Sequence, residues 1–260
     1  MDRTVCARLQ YDGTRFVGWQ IQPDGRTVQG EVEAVLTRLC DHPVRVHAAG
    51  RTDAGVHALG MAISATVPAR WTPKPLHRAM NALLPADCWV VEVREARPGF
   101  HARKSASGRA YCYRIGTDAG SRSPFRAPFE WALGHELDAE VLAAAAGRVA
   151  GCHDFRAFAV HTGLKENCRC TVRRAAWEAR PGAEGWQLSI RADRFLHHMV
   201  RILVGTMAEA ALGRRPEEDI GRLLAGDPLV RASPPAPAQG LYFVEAEYPE
   251  HWFHLGNDPS

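Results

Sequence analysis

The chain has 260 residues, of which 46% are hydrophobic and 23% charged. This composition suits one or two globular domains with a buried core, and it excludes a disordered polymer, a collagen-like repeat and a disulfide-bonded miniprotein. The net charge of +3 hides an uneven distribution. Residues 94–126 (the basic segment) contain eight basic and two acidic residues, whereas residues 217–260 contain two basic and eight acidic residues. Such a basic segment is consistent with binding of a polyanion and equally with an ordinary charged surface in contact with solvent.

The sequence contains no uncharged apolar stretch of 18 residues, and its first residues lack the apolar region of a secretory signal. We therefore predict no association with a membrane. The seven cysteines are odd in number and scattered, mostly within apolar runs. This pattern favours buried free thiols over disulfide bonds and predicts a cytoplasmic protein.

Hydrophobic periodicity in the first half predicts the order β-α-β-β-α-β, which is typical of a ferredoxin-like unit. The predicted strands are 5–11, 44–49, 58–67 and 88–96. The predicted helices are 27–40, capped by Thr27, and 73–84, introduced by Pro73 and Pro75.

The second half repeats this order loosely and without evident sequence identity to the first. Its predicted strands are 108–116, 171–179, 186–192 and 240–248, and its predicted helices are 138–150, 195–212 and 216–225. Two stretches rich in glycine or proline, 117–131 and 227–240, are predicted loops. We predict an α+β fold of two ferredoxin-like halves, 1–102 and 103–260, whose mainly antiparallel sheets join.

Motifs of nucleotide-dependent and metal-dependent enzymes are missing, including the Walker A loop, the dinucleotide fingerprint, H-E-x-x-H and G-x-S-x-G. Cys168 and Cys170 are separated by one residue, which is poor spacing for structural zinc. His197 and His198 occupy adjacent positions of a predicted helix, about 100° apart, and are no i, i+4 ligand pair. We predict neither a metal nor another cofactor.

Residues 50–58, GRTDAGVHA, place polar side chains among residues too small to cover them, between two predicted strands. Gly50 and Gly55 permit unusual backbone angles and close approach of a ligand. Arg51 and Asp53 project to one side of an extended segment, where the guanidinium favours an ionised carboxylate. These residues alone leave a turn with a structural ion pair and a ligand site both open.

Several blocks in a fixed order resemble the A class of tRNA pseudouridine synthases. Beside GRTDAGVHA, the resemblance rests on YDGT at 11–14, GWQ at 18–20, TVQ at 27–29, NALLP at 81–85, FHAR at 100–103, RAYCY at 109–113, FLHHMVR at 195–201 and GLY at 240–242. Together these blocks are highly specific, although each alone is not. They imply the pseudouridine synthase fold, with the catalytic aspartate in the N-terminal half.

The resemblance implies an isomerase that converts uridine to pseudouridine at positions 38, 39 and 40 in the anticodon stem-loop of tRNA. In this reaction the bond from N1 of uracil to C1′ of ribose breaks, and C5 of the same uracil bonds to C1′. No atom is lost and no redox change occurs, so the chemistry requires no cofactor. Members of the family are homodimers, so the resemblance also implies a homodimer with tRNA as its partner.

The same resemblance assigns the site residues. Asp53 is the catalytic carboxylate, which could add to C1′, add to uracil C6 or remove the C2′ proton. Arg201 keeps that carboxylate ionised and Arg51 assists base flipping. Tyr111 packs against the flipped uracil, and Leu241 forms an apolar wall. The main alternative is a non-catalytic RNA-binding protein on the same fold, which would not need Asp53, and a metal-dependent hydrolase is more remote.

Overall fold

The computed structural model describes residues 2–160, 166–180, 182 and 184–253. They form two compact units. Unit 1 runs from the start of the described chain to Ser107 and resumes at Phe243, and unit 2 is Gly108–Tyr242. The sequence-based division at 102/103 describes two successive halves and stays a prediction, since unit 1 here includes a C-terminal segment. No helix among the described residues has the length and apolarity to cross a bilayer.

Unit 1 has the predicted β-α-β-β-α-β order. Its elements are β1 (Asp2–Tyr11), α1 (Val28–Cys40), β2 (His47–Ala48), β3 (His57–Pro68), α2 (Pro73–Leu83) and β4 (Cys88–Glu95). Strand β1 lies between β4 and β3 and pairs antiparallel with both, so that Val5 faces Ala65 on one side and Glu95 on the other. Strand β2 pairs with β3, as does β10 (Leu241–Glu247), most of which belongs to unit 1.

Helix α1 begins and packs as its sequence predicts. The Thr27 hydroxyl accepts a hydrogen bond from the Gly30 N–H at 3.2 Å, which caps the helix. The side chains at the helical spacing, Val28, Val32, Val35 and Leu36, are buried. Burial of this stripe stabilises the helix more than propensity does.

Strand β2 is shorter than the predicted strand 44–49 because its first residues bind elsewhere. The Val44 N–H donates to Thr37 Oγ1 at 3.2 Å, and the Val46 N–H donates to Glu33 Oε1 at 3.0 Å. These two N–H groups are therefore satisfied by side chains of α1. Pairing with β3 is left to His47 and Ala48, which face Ser64 and Ile63.

Unit 2 contains more strands than the sequence predicts. Its elements are β5 (Gly108–Gly116), β6 (Trp131–Ala132), α3 (Ala139–Val149), β7 (Gly151–Asp154), β8 (Arg169–Ala179), β9 (Gly185–Ala192), α4 (Met199–Ala211) and α5 (Asp219–Leu224). The strand order is β5-β9-β8-β7, with antiparallel pairs throughout, and β6 adds to β5 in parallel. The α+β class and the mainly antiparallel pairing are confirmed.

Two differences in unit 2 have local causes. Strand β7 escapes prediction because Gly151 and Asp154 belong to residue types that are depleted in strands. Helix α4 starts at Met199 instead of residue 195, because His198 adopts a left-handed conformation with a φ of 62°. The expectation that His197 and His198 occupy adjacent helical positions is therefore wrong, and their ring centroids lie 4.2 Å apart in the segment that precedes the helix.

The predicted loop 117–131 is held by one arginine. The Arg126 guanidinium binds both oxygens of Asp118, at 2.7 and 2.8 Å, and Glu130 at 2.9 Å. Glu130 is 1% exposed and also pairs with Arg180. The hydrogen bonds from Arg126 hold the pKa of Asp118 below its usual value. Charge-assisted hydrogen bonds from Arg126 thus tie Asp118, near the start of this loop, to Glu130, near its end.

Candidate active site

Asp53 lies in unit 1, on the loop between β2 and β3. The Val56 N–H donates to the Asp53 carbonyl oxygen at 3.2 Å and closes a turn. Gly55, the third residue of this turn, has a φ of 78°, which favours glycine there. The Asp53 side chain is half-buried and Arg51 is exposed, whereas Thr52 between them is buried. This alternation agrees with an extended segment in which Arg51 and Asp53 face one side.

The Asp53 loop rests on residues 11–19, which we call the support segment. The Trp19 N–H donates to the Thr52 carbonyl oxygen at 3.0 Å, and the Gly55 N–H donates to the Phe16 carbonyl oxygen at 3.4 Å. Trp19 itself is buried. The backbone on both sides of Asp53 is thus bonded to a second part of the chain.

Two side-chain hydrogen bonds add to this support. The hydroxyl oxygens of Tyr11 and Thr52 lie 2.8 Å apart. Four residues after Asp53, the His57 Nδ1 accepts a hydrogen bond from the Gly13 N–H at 3.0 Å. The same Nδ1 lies 3.3 Å from the Asp12 carboxylate. His57 thus supports the loop through a hydrogen bond to the backbone of the support segment.

Glycine is required at two positions of the support segment because the Asp53 loop approaches so closely. A Cβ on Gly13 would lie 2.1 Å from the Val56 carbonyl oxygen. A Cβ on Gly18, which has a φ of 110°, would lie 2.8 Å from the Thr52 carbonyl oxygen. In both cases the obstructing atom is backbone, which has little freedom to move.

We expect the substitution Gly13→Ala to destabilise the protein by about 1–3 kcal/mol, as overpacking typically does. The added methyl group would push Val56 and the Asp53 loop away from the support segment. Thermal unfolding followed by circular dichroism would show this as a lower Tm. The matched control is Gly147→Ala in helix α3, where a Cβ meets nothing within 4 Å. An unchanged Tm for Gly13→Ala would contradict the close contact.

The other predicted site residues lie in unit 2, on three elements. Tyr111 is half-buried on β5, and its ring packs edge-to-face against Phe195, with centroids 5.0 Å apart. Arg201 is on α4 and Leu241 is the first residue of β10. Leu241 is buried, which suits an apolar wall.

Arg201 holds the chain segment that leads to Leu241. Its Nε donates to the Ala236 carbonyl oxygen at 2.8 Å, and its own carbonyl oxygen accepts from the Ala236 N–H at 2.9 Å. The Tyr113 hydroxyl donates to the Pro237 carbonyl oxygen at 2.7 Å. Burial raises the pKa of Tyr113 well above its usual value, so this hydroxyl stays protonated and can donate. Leu241 therefore follows a segment fixed by hydrogen bonds.

The basic segment 94–126 contains two kinds of cation. Some arginines are engaged within the protein: Arg94 stacks 4.1 Å above the Phe253 ring, Arg114 stacks 4.4 Å above the Tyr242 ring, and Arg126 binds two carboxylates. Arg103 and Lys104 are adjacent in the sequence and both exposed, and Arg97 and Arg122 are exposed as well. Because Arg103 and Lys104 place two exposed cations side by side, they are candidates for contacts with an anionic partner.

Tyr11, Thr52 and His57 are the functional candidates that sequence reasoning left without a role. Each lies inside a block of the resemblance, but nothing in the linear sequence joins Tyr11 to Thr52, which is 41 positions away. The sequence does offer one indication: in an extended segment, side chains alternate, so Thr52 would point to the side opposite Arg51 and Asp53. The sequence assigns no role to residues 162–169, of which 162–165 lie outside the described residues.

Comparison with known proteins agrees with this arrangement. The family model described as tRNA pseudouridine synthase matches residues 7–103 and 145–249. A tRNA pseudouridine synthase A of Solidesulfovibrio magneticus is 42% identical over 248 residues, covering 92% of this chain and 89% of the relative. A protein of the same name from Moorella thermoacetica is 41% identical, covering 92% and 97%. A third, from Geobacillus kaustophilus, is 40% identical and covers 95% of both chains.

The match to the family model contains the Asp53 loop, its support segment, Arg201 and Leu241, although Tyr111 falls between the two matched stretches. The relatives cover this gap as well, since their alignments extend over more than nine-tenths of the chain. The chain belongs to the tRNA pseudouridine synthase family.

Proposed function

We propose that this protein is an isomerase that converts uridine to pseudouridine in tRNA, at positions 38, 39 and 40 of the anticodon stem-loop. The observation that carries the proposal is the Asp53 loop. Its half-buried carboxylate lies in a turn that is bonded to the support segment on both sides, within a chain of this family. A group with an assigned chemical role is best held on such a rigid frame.

The reaction moves one bond within the nucleotide. The bond from N1 to C1′ breaks, the uracil turns, and C5 bonds to C1′ and then loses its proton, while N1 gains one. Atoms and electrons balance without an external reactant. Asp53 is proposed to act at the junction of sugar and base, by addition to C1′, by addition to C6 or by removal of the C2′ proton.

The remaining site residues are proposed to bind and hold the base. A stacked uridine must leave the helix, at a cost of a few kcal/mol. Arg51, which is exposed on the same loop as Asp53, is proposed to assist this step. Tyr111 is proposed to pack against the extruded uracil, Leu241 to form an apolar wall, and Arg201 to keep the Asp53 carboxylate ionised.

A tRNA transcript without modified nucleotides provides the test. We expect incubation with the purified protein to produce pseudouridine at positions 38, 39 or 40, located by chemical mapping of the modified sites. A transcript with cytidine at all three positions is the matched control and should gain none. Pseudouridine confined to another part of the tRNA would contradict the proposed sites. Binding without isomerisation would favour the alternative of a non-catalytic RNA-binding protein.

We further propose that the protein works as a homodimer in the cytoplasm. The dimer rests on the resemblance alone. The reducing compartment is supported by the cysteines, six of which are buried. Burial raises the pKa of Cys6 and Cys88 to about 12, which keeps these thiols protonated and unreactive.

A further inference from the structure

The residue before the proposed catalytic aspartate is built into a buried hydrogen bond. Thr52 is 7% exposed and Tyr11 is 4% exposed. Their hydroxyl oxygens are 2.8 Å apart, and either group can donate. Tyr11 is the last residue of β1, the strand that pairs with both β3 and β4 of unit 1. Thr52 is thus tied to a strand that is paired on both sides.

The Thr52 backbone is bonded as well as its side chain. Its carbonyl oxygen accepts from the Trp19 N–H at 3.0 Å, and this carbonyl belongs to the peptide group that links Thr52 to Asp53. Since the side chain and the following peptide are both bonded, rotation at Thr52 would break at least one of these hydrogen bonds. Because the Asp53 Cα lies about 3.8 Å from the Thr52 Cα, any rotation there would swing the Asp53 carboxylate.

We propose that Thr52 is a positioning residue, whose hydrogen bond with Tyr11 sets where the Asp53 carboxylate meets the substrate. This inference rests on the proposed function. Thr52 is buried and adjacent to Asp53 in the sequence, so its effect on the reaction would pass through Asp53. A displacement of about 1 Å at a reacting group can lower a rate by roughly 100-fold.

The test compares variants in single-turnover assays, which separate the chemical step from product release. Thr52→Val keeps the shape of the side chain and removes its hydroxyl. We expect its single-turnover rate to fall between about 10- and 100-fold, with the Kd for tRNA changed less than about twofold. Thr52→Ser keeps the hydroxyl and should retain the rate within about threefold.

Two further variants separate positioning from stability. The double variant Tyr11→Phe/Thr52→Val removes both partners, so no unpaired hydroxyl stays buried and the Tm should recover relative to Thr52→Val alone. A positioning role predicts that its rate stays low even though the Tm recovers. The control Thr37→Val makes the same substitution in α1, where the hydroxyl accepts from the Val44 N–H. It should lower the Tm without changing the rate.

Each outcome decides the matter. A rate that recovers together with the Tm in the double variant would overturn the inference, because the hydrogen bond would then act through stability alone. A Thr52→Val variant as fast as the wild type would also overturn it, while the proposed function would stand. A wild-type protein that forms no pseudouridine would overturn the proposed function, and this inference with it.

Discussion

Replacement of Asp53 by asparagine is expected to reduce pseudouridine formation at least about 1,000-fold, because the variant has neither a nucleophilic carboxylate nor a base. Asparagine has nearly the same size, so the turn closed by the Asp53 carbonyl oxygen should persist. The Kd for tRNA should stay within a few-fold of the wild type. Asp53→Ala should have the same effect on activity and remove any residual hydrogen bonding by the side chain.

The control for this experiment is Asp24→Asn, which makes the same change of charge at an exposed position of unit 1. It should retain full activity. Persistent isomerisation by Asp53→Ala would refute the assignment of the catalytic carboxylate. Loss of tRNA binding together with activity would instead indicate that Asp53 contributes to the affinity for tRNA, or that the loop had collapsed, which a Tm measurement distinguishes.

Replacement of Arg103 and Lys104 by alanine is expected to weaken tRNA binding and to flatten its dependence on salt. Both side chains are exposed in the basic segment. Each lost phosphate contact should reduce the slope of log K against log salt concentration by roughly 0.7–0.9. Titrations at several salt concentrations should therefore show the slope reduced by about 1.5 for the double variant.

Lys74→Ala/Arg78→Ala is the matched control, since it removes two exposed charges from helix α2, outside the basic segment. Its slope should equal that of the wild type. An equal loss in both double variants would show that the effect comes from net charge and would remove Arg103 and Lys104 from the RNA surface.

The basic segment also shows where sequence reasoning stops. A count of charges treats all arginines alike, whereas Arg94 and Arg114 stack on aromatic rings and Arg126 ties a loop together. The aromatic partners Phe253 and Tyr242 are more than 100 residues away from their arginines in the sequence. The net charge of the segment can be counted from the sequence. Which of its arginines stack on aromatic rings or bind carboxylates cannot, because those contacts depend on tertiary packing.

The elements with strong periodicity could be predicted, and the exceptions have specific causes. Helix α1 follows its apolar spacing and its threonine cap. Strand β2 is shorter than predicted because the Glu33 carboxylate accepts the hydrogen bond of a backbone N–H group. Helix α4 starts later than predicted because His198 is left-handed. Neither signal can be read from hydropathy.

The Asp53 loop could be located from its polar residues and glycines, but its support could not. Contact between Tyr11 and Thr52 requires the register of β1 on β3, where Tyr11 faces Ala58. The sequence alone does not show that Gly13 and Gly18 must be glycine. Their need for glycine arises from the backbone of the Asp53 loop lying against them.

The course of the chain through unit 1 has a consequence for synthesis on the ribosome. The part of β10 that pairs with β3 is translated after the whole of Gly108–Tyr242, a delay of 135 residues. At about 5–20 residues per second, the nascent unit waits roughly 7 to 27 seconds for its last strand. During that interval the part of the β3 edge that β10 later covers is open to neighbouring polypeptides, so chaperone capture of the unfinished chain has a defined target.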